Sequence, residues 1–284
     1  MNLISKISLI LAVLMAGFAD TASCLNINWT RIHNKIYYAK VKVYKSNEIA
    51  DTVNIVKILP DAYIFRLLNE DDATIKPIIK NIEDWQESSG ALVLCNSSYY
   101  DEKFKPATAA IVNGRANNLK KLKKGALFVA SPAKDSHLPE ANIIDLETTP
   151  SDLKNLPYLT AIQSYPVLLD KYGRIHVKRS EWRANRTVIA KDRSGNILIF
   201  VTEGTEKYYS FTLYEMAEWL KNSGLNIEIA MNMDGGYESE LCIRTSRFSY
   251  ATYGQWEFND SGDKSKPGLK MWLPFVIAVF PKSY

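Results

Sequence analysis

Apolar positions along this chain fall into short blocks, some alternating with polar residues and some unbroken. Ile36-Tyr37-Tyr38-Ala39-Lys40-Val41-Lys42-Val43-Tyr44 alternates toward its end, and Val53 to Leu59 repeats the theme. Period-two alternation puts one side of a pleated strand in a core and the other in water, so both blocks read as strands. Pro60-Asp61 is a turn, and Tyr63 to Leu68 reads as a further strand. Ala91 to Cys95, Ile197 to Val201 and Ile229 to Met231 are apolar without a break, as expected of strands covered on both faces. Ala109 to Arg115 carries an Asn113-Gly114 hairpin turn, and Val188-Ile189-Ala190 pairs with Ile197 to Val201 across Asp192-Arg193-Ser194-Gly195. Leu127 to Ala130, Leu241 to Arg244 and Leu273 to Phe280 complete the strand set, and residues 131–160 read as loop and short strand.

Two stretches follow helical spacing instead. Pro77 suits a first helical position, Ile78, Ile82 and Trp85 follow on one side, and Gly90 suits the stop. Thr212 and Glu215 have capping-box spacing, Leu213, Met216, Ala217 and Leu220 form a buried stripe, and Gly224 ends it. Strands outnumber helices and come in hairpins. The pattern predicts an α+β fold: a mixed, largely antiparallel sheet built from hairpins, with a few packed helices. No boundary within residues 24–284 divides it, so one domain is expected.

The 284 residues are 46% hydrophobic and 23% charged, enough apolar mass for a sizeable core and against bulk disorder. The net charge of +4 is mild. The one basic run, Lys120-Lys121-Leu122-Lys123-Lys124, reads as a solvated loop with some attraction for anions, so no nucleic-acid partner is expected. Lys6, the apolar run from Ile7 to Phe18, and Ala22-Ser23 form an export signal over residues 1–23. The run is short for a membrane span. Cys24 follows Thr21-Ala22-Ser23, a loose lipoprotein cleavage box, so lipidation of Cys24 is a candidate membrane tether. Export places the protein in the periplasm, outside the cell or anchored at the envelope. Cys95 and Cys242 are either free buried thiols or a bridge.

Candidate chemistry gathers where apolar runs end in polar residues. Ile229 to Met233 runs into Asp234-Gly235-Gly236: a carboxylate at a strand exit, then two glycines that permit a sharp turn and expose backbone N–H groups. Asn96-Ser97-Ser98-Tyr99-Tyr100-Asp101 leaves another strand, either lining a pocket or capping the sheet. Gln163-Ser164 stands inside an apolar segment, where buried polar groups need partners in a fixed loop or a ligand. His33, His137 and His176 lack paired spacing, which argues against a zinc site. No cofactor is required, although an oxygen-ligated divalent ion such as calcium has room beside Asp234. No nucleotide-type glycine loop or nucleophile elbow is present.

Four stretches in this order resemble the phosphodiester glycosidase domain family, from about Asp61 to Phe280. Asn96 to Asp101 resembles the family's N-G-G-F-F-D. Gln163-Ser164-Tyr165-Pro166 resembles Q-S-G-P. Arg186-Thr187-Val188-Ile189-Ala190 resembles R-T-A-V-G. Asn232-Met233-Asp234-Gly235-Gly236 resembles N-L-D-G-G, usually continued G-S-S, where this chain has Tyr237-Glu238-Ser239. Ser97 and Ser98 also replace family glycines. The family includes a lysosomal enzyme that removes N-acetylglucosamine from a phosphodiester on mannose, and bacterial exported members linked to exopolysaccharide.

The resemblance implies hydrolysis of a glycosyl phosphodiester, with a glycan or sugar phosphate as the partner molecule. It also leaves room for a binding-only member that has lost turnover. An oxocarbenium-like transition state asks for a carboxylate near the anomeric carbon and for cations or N–H donors at the phosphate. Asp234 fits the first role and Arg186 the second, its planar fork matching two oxygens. Glu203, at a central-strand exit, is a second candidate carboxylate. Asn96, Tyr99, Gln163, Ser164, Asn232 and Ser239 would contact the sugar, and Gly235 and Gly236 would offer N–H donors. The plainer alternatives are a turn-forming Asp234, a salt-bridged Arg186 and a structural Glu203.

Overall fold

The computed structural model describes residues 27–69, 80–134, 136–204, 210–255 and 270–282. The export signal, Cys24, the start of the first helix at Pro77 and Ile78, and the polar loop around 257–268 lie outside the described residues.

Three antiparallel sheets make up the fold. The first has seven strands in the order β1 (Thr30–His33), β2 (Ile36–Lys45), β3 (Glu48–Ile58), β13 (Ile197–Thr202), β12 (Thr187–Asp192), β14 (Ile227–Asn232) and β11 (Val167–Leu169). The second has five: β7 (Arg115–Asn118), β6 (Ala110–Val112), β10 (Tyr158–Ser164), β8 (Ala126–Pro132) and β9 (Ala141–Asp145). The third has β16 (Ser249–Thr252), β15 (Leu241–Arg244), β5 (Val93–Asn96), β17 (Phe275–Pro281) and β4 (Tyr63–Asn69). A single mixed sheet is thus replaced by three, and every pairing among the described strands is antiparallel. The fold is largely β, with two α-helices among the described residues, α1 (Ile82–Ser89) and α2 (Leu213–Asn222).

The unbroken apolar runs have a direct cause. Ile197, Ile199 and Val201 of β13 point into a central core shared by all three sheets, where they join Phe65, Phe128 and Ile277. Leu198 and Phe200 point the other way, onto Met216, Ala217 and Leu220 of α2. β14 divides likewise, Ile229 and Met231 inward and Ala230 toward the helix. A strand sandwiched in this manner needs apolar residues at every position.

Capping fixes both helices. Thr212 and Glu215 form the reciprocal capping box that their spacing predicts. α1 starts at Ile82, where Asn81 caps it and Asp84 returns the bond to the Asn81 N–H. Gly90 closes it in the left-handed region, with φ of +70°. Trp85 fills the space behind the third sheet and donates from its indole to Leu273 O at 2.7 Å.

The cysteine alternatives resolve in favour of free thiols. Cys95 pairs in register with Leu241, Cys242 with Leu94. Neighbours offset by one residue face opposite sides of a sheet. Cys95 lies in the central core and Cys242 in the α1 layer, so both are free and buried.

Candidate active site

Several strand ends meet at one junction. β14 delivers Met233-Asp234-Gly235-Gly236, β12 starts directly after Arg186, β5 stops at Asn96 and β15 starts after Ser239-Glu240. Backbone bonds join these ends. Met233 N–H donates to Thr187 O at 2.9 Å, Asp234 N–H to Ser97 O at 3.1 Å, and Gly236 N–H to Asn185 O at 2.9 Å. Asp234 is thereby fixed at the junction of the first and third sheets.

Asn96 is the joint that holds this junction. Its Nδ2 donates to Asp234 O at 2.9 Å. Its Oδ1 accepts Thr187 Oγ1–H at 2.7 Å and Glu240 N–H at 3.3 Å. One buried amide therefore ties β5, β12, β15 and the Asp234 turn together, and Thr187 Oγ1 reaches on to Ser239 Oγ at 3.2 Å. Such an amide has no capacity left for a sugar hydroxyl.

Close packing sets the glycine at 235. Asp234 Oδ1 accepts the Gly235 N–H at 2.9 Å. A Cβ on Gly235 would stand 2.8 Å from Asn185 O and 3.7 Å from Arg186 Nη1. The first contact forbids a side chain, and the second measures how near the guanidinium comes to the acid's turn. Arg186 is nearly buried. Its Nε donates to Phe211 O and its Nη2 to Trp182 O, each at 2.9 Å. These two carbonyls fix the guanidinium plane with the Nη1 edge beside Gly235.

Tyr99 stands on the opposite wall. Its hydroxyl donates to Tyr165 O at 2.9 Å and accepts Asn232 Nδ2–H at 2.9 Å, and its ring lies 4.8 Å from that of Tyr165. Burial first, and the charge of Asp234 second, push the Tyr99 hydroxyl well above the ordinary phenol range, while Arg186 pulls it back. Tyr99 is thus within electrostatic reach of both the acid and the guanidinium. Around it, Ser97 Oγ, Ser98 Oγ, Ser164 Oγ and Asn232 Oδ1 are buried with no hydrogen-bond partner among the described residues. Native interiors rarely leave such atoms unpaired, and a cluster of them marks a place where water or a ligand supplies the missing bonds.

A family model for phosphodiester glycosidase matches residues 89–280. The chain belongs to the phosphodiester glycosidase family. Solved structures share the fold. The catalytic domain of zebrafish N-acetylglucosamine-1-phosphodiester alpha-N-acetylglucosaminidase, auto-inhibited by its pro-peptide, superposes with a TM-score of 0.59 at 15% identity, covering 90% of this chain and 84% of that one. A hypothetical protein from Synechocystis gives 0.59 at 14%, covering 92% and 64% respectively. A putative exported protein from Burkholderia pseudomallei K96243 gives 0.51 at 11%, covering 81% and 74%. No curated protein matches the chain.

Several residues take other places than their motifs imply. Gln163 turns into the basic loop: its Oε1 accepts Leu122 N–H at 2.9 Å, and its Nε2 donates to Leu122 O at 2.9 Å and Lys124 O at 3.0 Å. It is fully buried and pins the basic loop, the fixed-loop alternative. The N–H groups of Gly235 and Gly236 are taken up by Asp234 and Asn185 and form no anion nest. Glu203 accepts Asn54 Nδ2–H at 3.1 Å and pairs with Lys40 at 3.0 Å and with the Tyr250 hydroxyl. Its strand lies two removed from β14, about 10 Å across the sheet at the usual strand spacing.

Other neighbours were not singled out by the motifs. Thr187 and Tyr165 contribute a hydroxyl and a backbone carbonyl to the wall. Tyr100 donates to Glu238 Oε1 at 3.1 Å, joining the first motif to the residue that replaces a family serine. Glu240 accepts Met271 N–H at 2.8 Å, and burial pushes its carboxyl up to about 8. Asp51 accepts the N–H groups of Thr52 at 2.6 Å and Gly204 at 2.8 Å, and burial pushes it up to about 6. Among the described residues no group of three or more His, Cys, Asp and Glu side chains is gathered as metal ligands.

Proposed function

We propose that this protein is an exported hydrolase that cleaves a glycosyl phosphodiester in a cell-envelope or extracellular glycan. The observation that carries the reading is the Asp234–Gly235–Arg186 packing. One carboxylate and one oriented guanidinium share a turn, with Tyr99 in electrostatic reach and buried polar atoms beside it that lack partners among the described residues. Water adds to the anomeric carbon, the C1–O bond to phosphate breaks, and the phosphate monoester leaves with the bonding electron pair. Asp234 stabilises the positive charge that grows at the anomeric carbon, and Arg186 the negative charge that grows on the phosphate. A phosphate leaves readily, so a strong general acid is dispensable. Asn96 and Thr187 position Asp234, while Tyr99, Asn232, Ser98 and Ser164 face the sugar. Family membership and the shared fold support this assignment. The test is turnover of sugar-1-phosphodiesters by the purified mature chain, with product masses recorded. Release of free sugar and phosphomonoester is expected, and its loss in Asp234→Asn.

Export rests on the residue pattern before Cys24 and on a fold shared with a protein described as exported. No helix among the described residues is long and apolar enough to cross a membrane. Fractionation with mass measurement of the mature N-terminus would show cleavage before Cys24 and any lipid on it.

A second reading has its own observation. Tyr237 and Glu238 stand where the family carries small residues, and Glu238 is hydrogen-bonded to Tyr100. A glycan-binding protein without turnover would tolerate that change. Binding of a sugar-1-phosphodiester without product formation would select this reading.

A further inference from the structure

Beyond the Asp234 turn, at the same end of the third sheet, lies a cavity of about 100 Å³. Asn69, Lys80, Lys103, Phe104, Lys105 and Trp272 are prominent in its walls. Among the described residues its lining carries three lysines and no acid. β4 ends at Asn69 opposite Phe275, and β5 ends at Asn96 opposite Val276. Asn69 is therefore two strands along from Asn96, about 10 Å away at the usual spacing.

Aromatic rings link the Asp234 turn to this cavity. Tyr100, which holds Glu238 beside the Asp234 turn, stacks on Phe104 with centroids 5.8 Å apart. Phe104 in turn contacts Trp272 at 3.9 Å. Phe104 is presented by a tight turn: Asp101 Oδ1 accepts Lys103 N–H at 2.9 Å and Lys105 N–H at 3.0 Å. Phe104 itself is held at φ of +58°, a conformation that bulky residues avoid. The turn brings the exposed Lys103 and Lys105 to the cavity together with Phe104. Deeper in, the Lys80 ammonium lies 4.5 Å from the Trp85 ring centroid. Asn69, 7% exposed, leaves its Oδ1 buried with no hydrogen-bond partner among the described residues.

These features ask for one kind of ligand. The exposed Lys103 and Lys105 call for an anion, the ring faces for the C–H face of a sugar, and Asn69 Oδ1 for a hydroxyl donor. We propose that this cavity is a subsite for a second phosphorylated sugar unit of the same substrate. The substrate class becomes a glycan with repeated sugar phosphates rather than a single capped one. The inference rests on the hydrolase reading for the substrate it extends, and on the cavity alone for its ligand.

Calorimetric titration of the full mature chain with glucose 6-phosphate and with glucose tests it. The phosphorylated sugar should bind about 10-fold or more tightly than glucose. The exposed double variant Lys103→Gln/Lys105→Gln should lose most of that difference, while Asp234→Asn should keep it. Equal affinity for the two sugars would overturn the subsite. So would a double variant that binds like the parent, or a phosphate preference lost only in Arg186→Gln. If lysine-dependent binding is present and no sugar-1-phosphodiester is ever turned over, the hydrolase reading fails and the cavity's ligand stands. Turnover without lysine-dependent binding removes the subsite and leaves the hydrolase standing.

Discussion

The side-chain amide of Asn96 donates to the backbone carbonyl of Asp234, not to its carboxylate. The same amide accepts from Thr187 and Glu240, so three chain segments hang on one side chain. Asn96→Ala would strand the Glu240 N–H and the Asp234 carbonyl, each worth roughly 1 kcal/mol or more when unpaired, and leave the Thr187 hydroxyl only its longer contact with Ser239. The expected loss is about 2–4 kcal/mol in urea denaturation. A loss below about 0.5 kcal/mol would refute the joint.

Asp234→Asn keeps the shape of the turn and removes the charge. Turnover should fall by about 10³-fold or more, the scale seen when a group acting on transition-state charge is removed. Binding of intact substrate should persist. Full kcat in the Asp234→Asn variant would take Asp234 out of the reaction.

Gly235→Ala places a methyl 2.8 Å from Asn185 O, against backbone that cannot swing aside. Overpacking of that kind costs roughly 1–3 kcal/mol. Because the displaced segment carries Arg186, activity should drop further than stability predicts. Thermal melts and rates on the same preparations check this together.

Gln163→Ala separates a loop anchor from a sugar ligand. Released from Leu122 and Lys124, residues 120–124 should become sensitive to trypsin. KM for a small sugar-1-phosphodiester should stay within about 2-fold, well under the change a lost substrate hydrogen bond produces. A large KM increase with intact protease resistance would restore Gln163 to the substrate.

Glu240 gives the pH dependence a sign. Burial raises its folded carboxyl from the ordinary 4.5 to about 8. The folded state therefore holds a proton that the unfolded chain releases. Its contribution is greatest below pH 4.5 and declines as pH rises toward 8. Glu240→Gln cannot ionise, so the fall in melting temperature between about pH 5 and pH 8 should shrink. Asp51, raised to about 6, acts in the same direction over a lower window. An unchanged pH slope in Glu240→Gln would show that the carboxyl ionises freely.

Local chemistry was legible in the sequence where a residue's partner is near or its environment uniform. The Thr212–Glu215 cap and the Gly90 stop needed only neighbours. The runs in β13 and β14 needed only two covered faces. Asp234 and Arg186, far apart in the chain, do come to the same turn. What stayed hidden depends on distant partners without a pattern of their own. Gln163 bonds to the backbone of Leu122 and Lys124, and backbone atoms leave no mark in a sequence. The same is true of the glycine N–H groups, whose acceptors could not be anticipated. The division into three sheets follows from which hairpins lie side by side, a choice made by the packed whole.

Cys95 and Cys242 lie on opposite sides of one sheet, each sealed under a different hydrophobic layer. Burial pushes the two thiols up to about 12 and about 11, so neither offers a thiolate to an oxidant. The described fold then needs no oxidative maturation, and a reductant such as dithiothreitol should leave its melting temperature where it was.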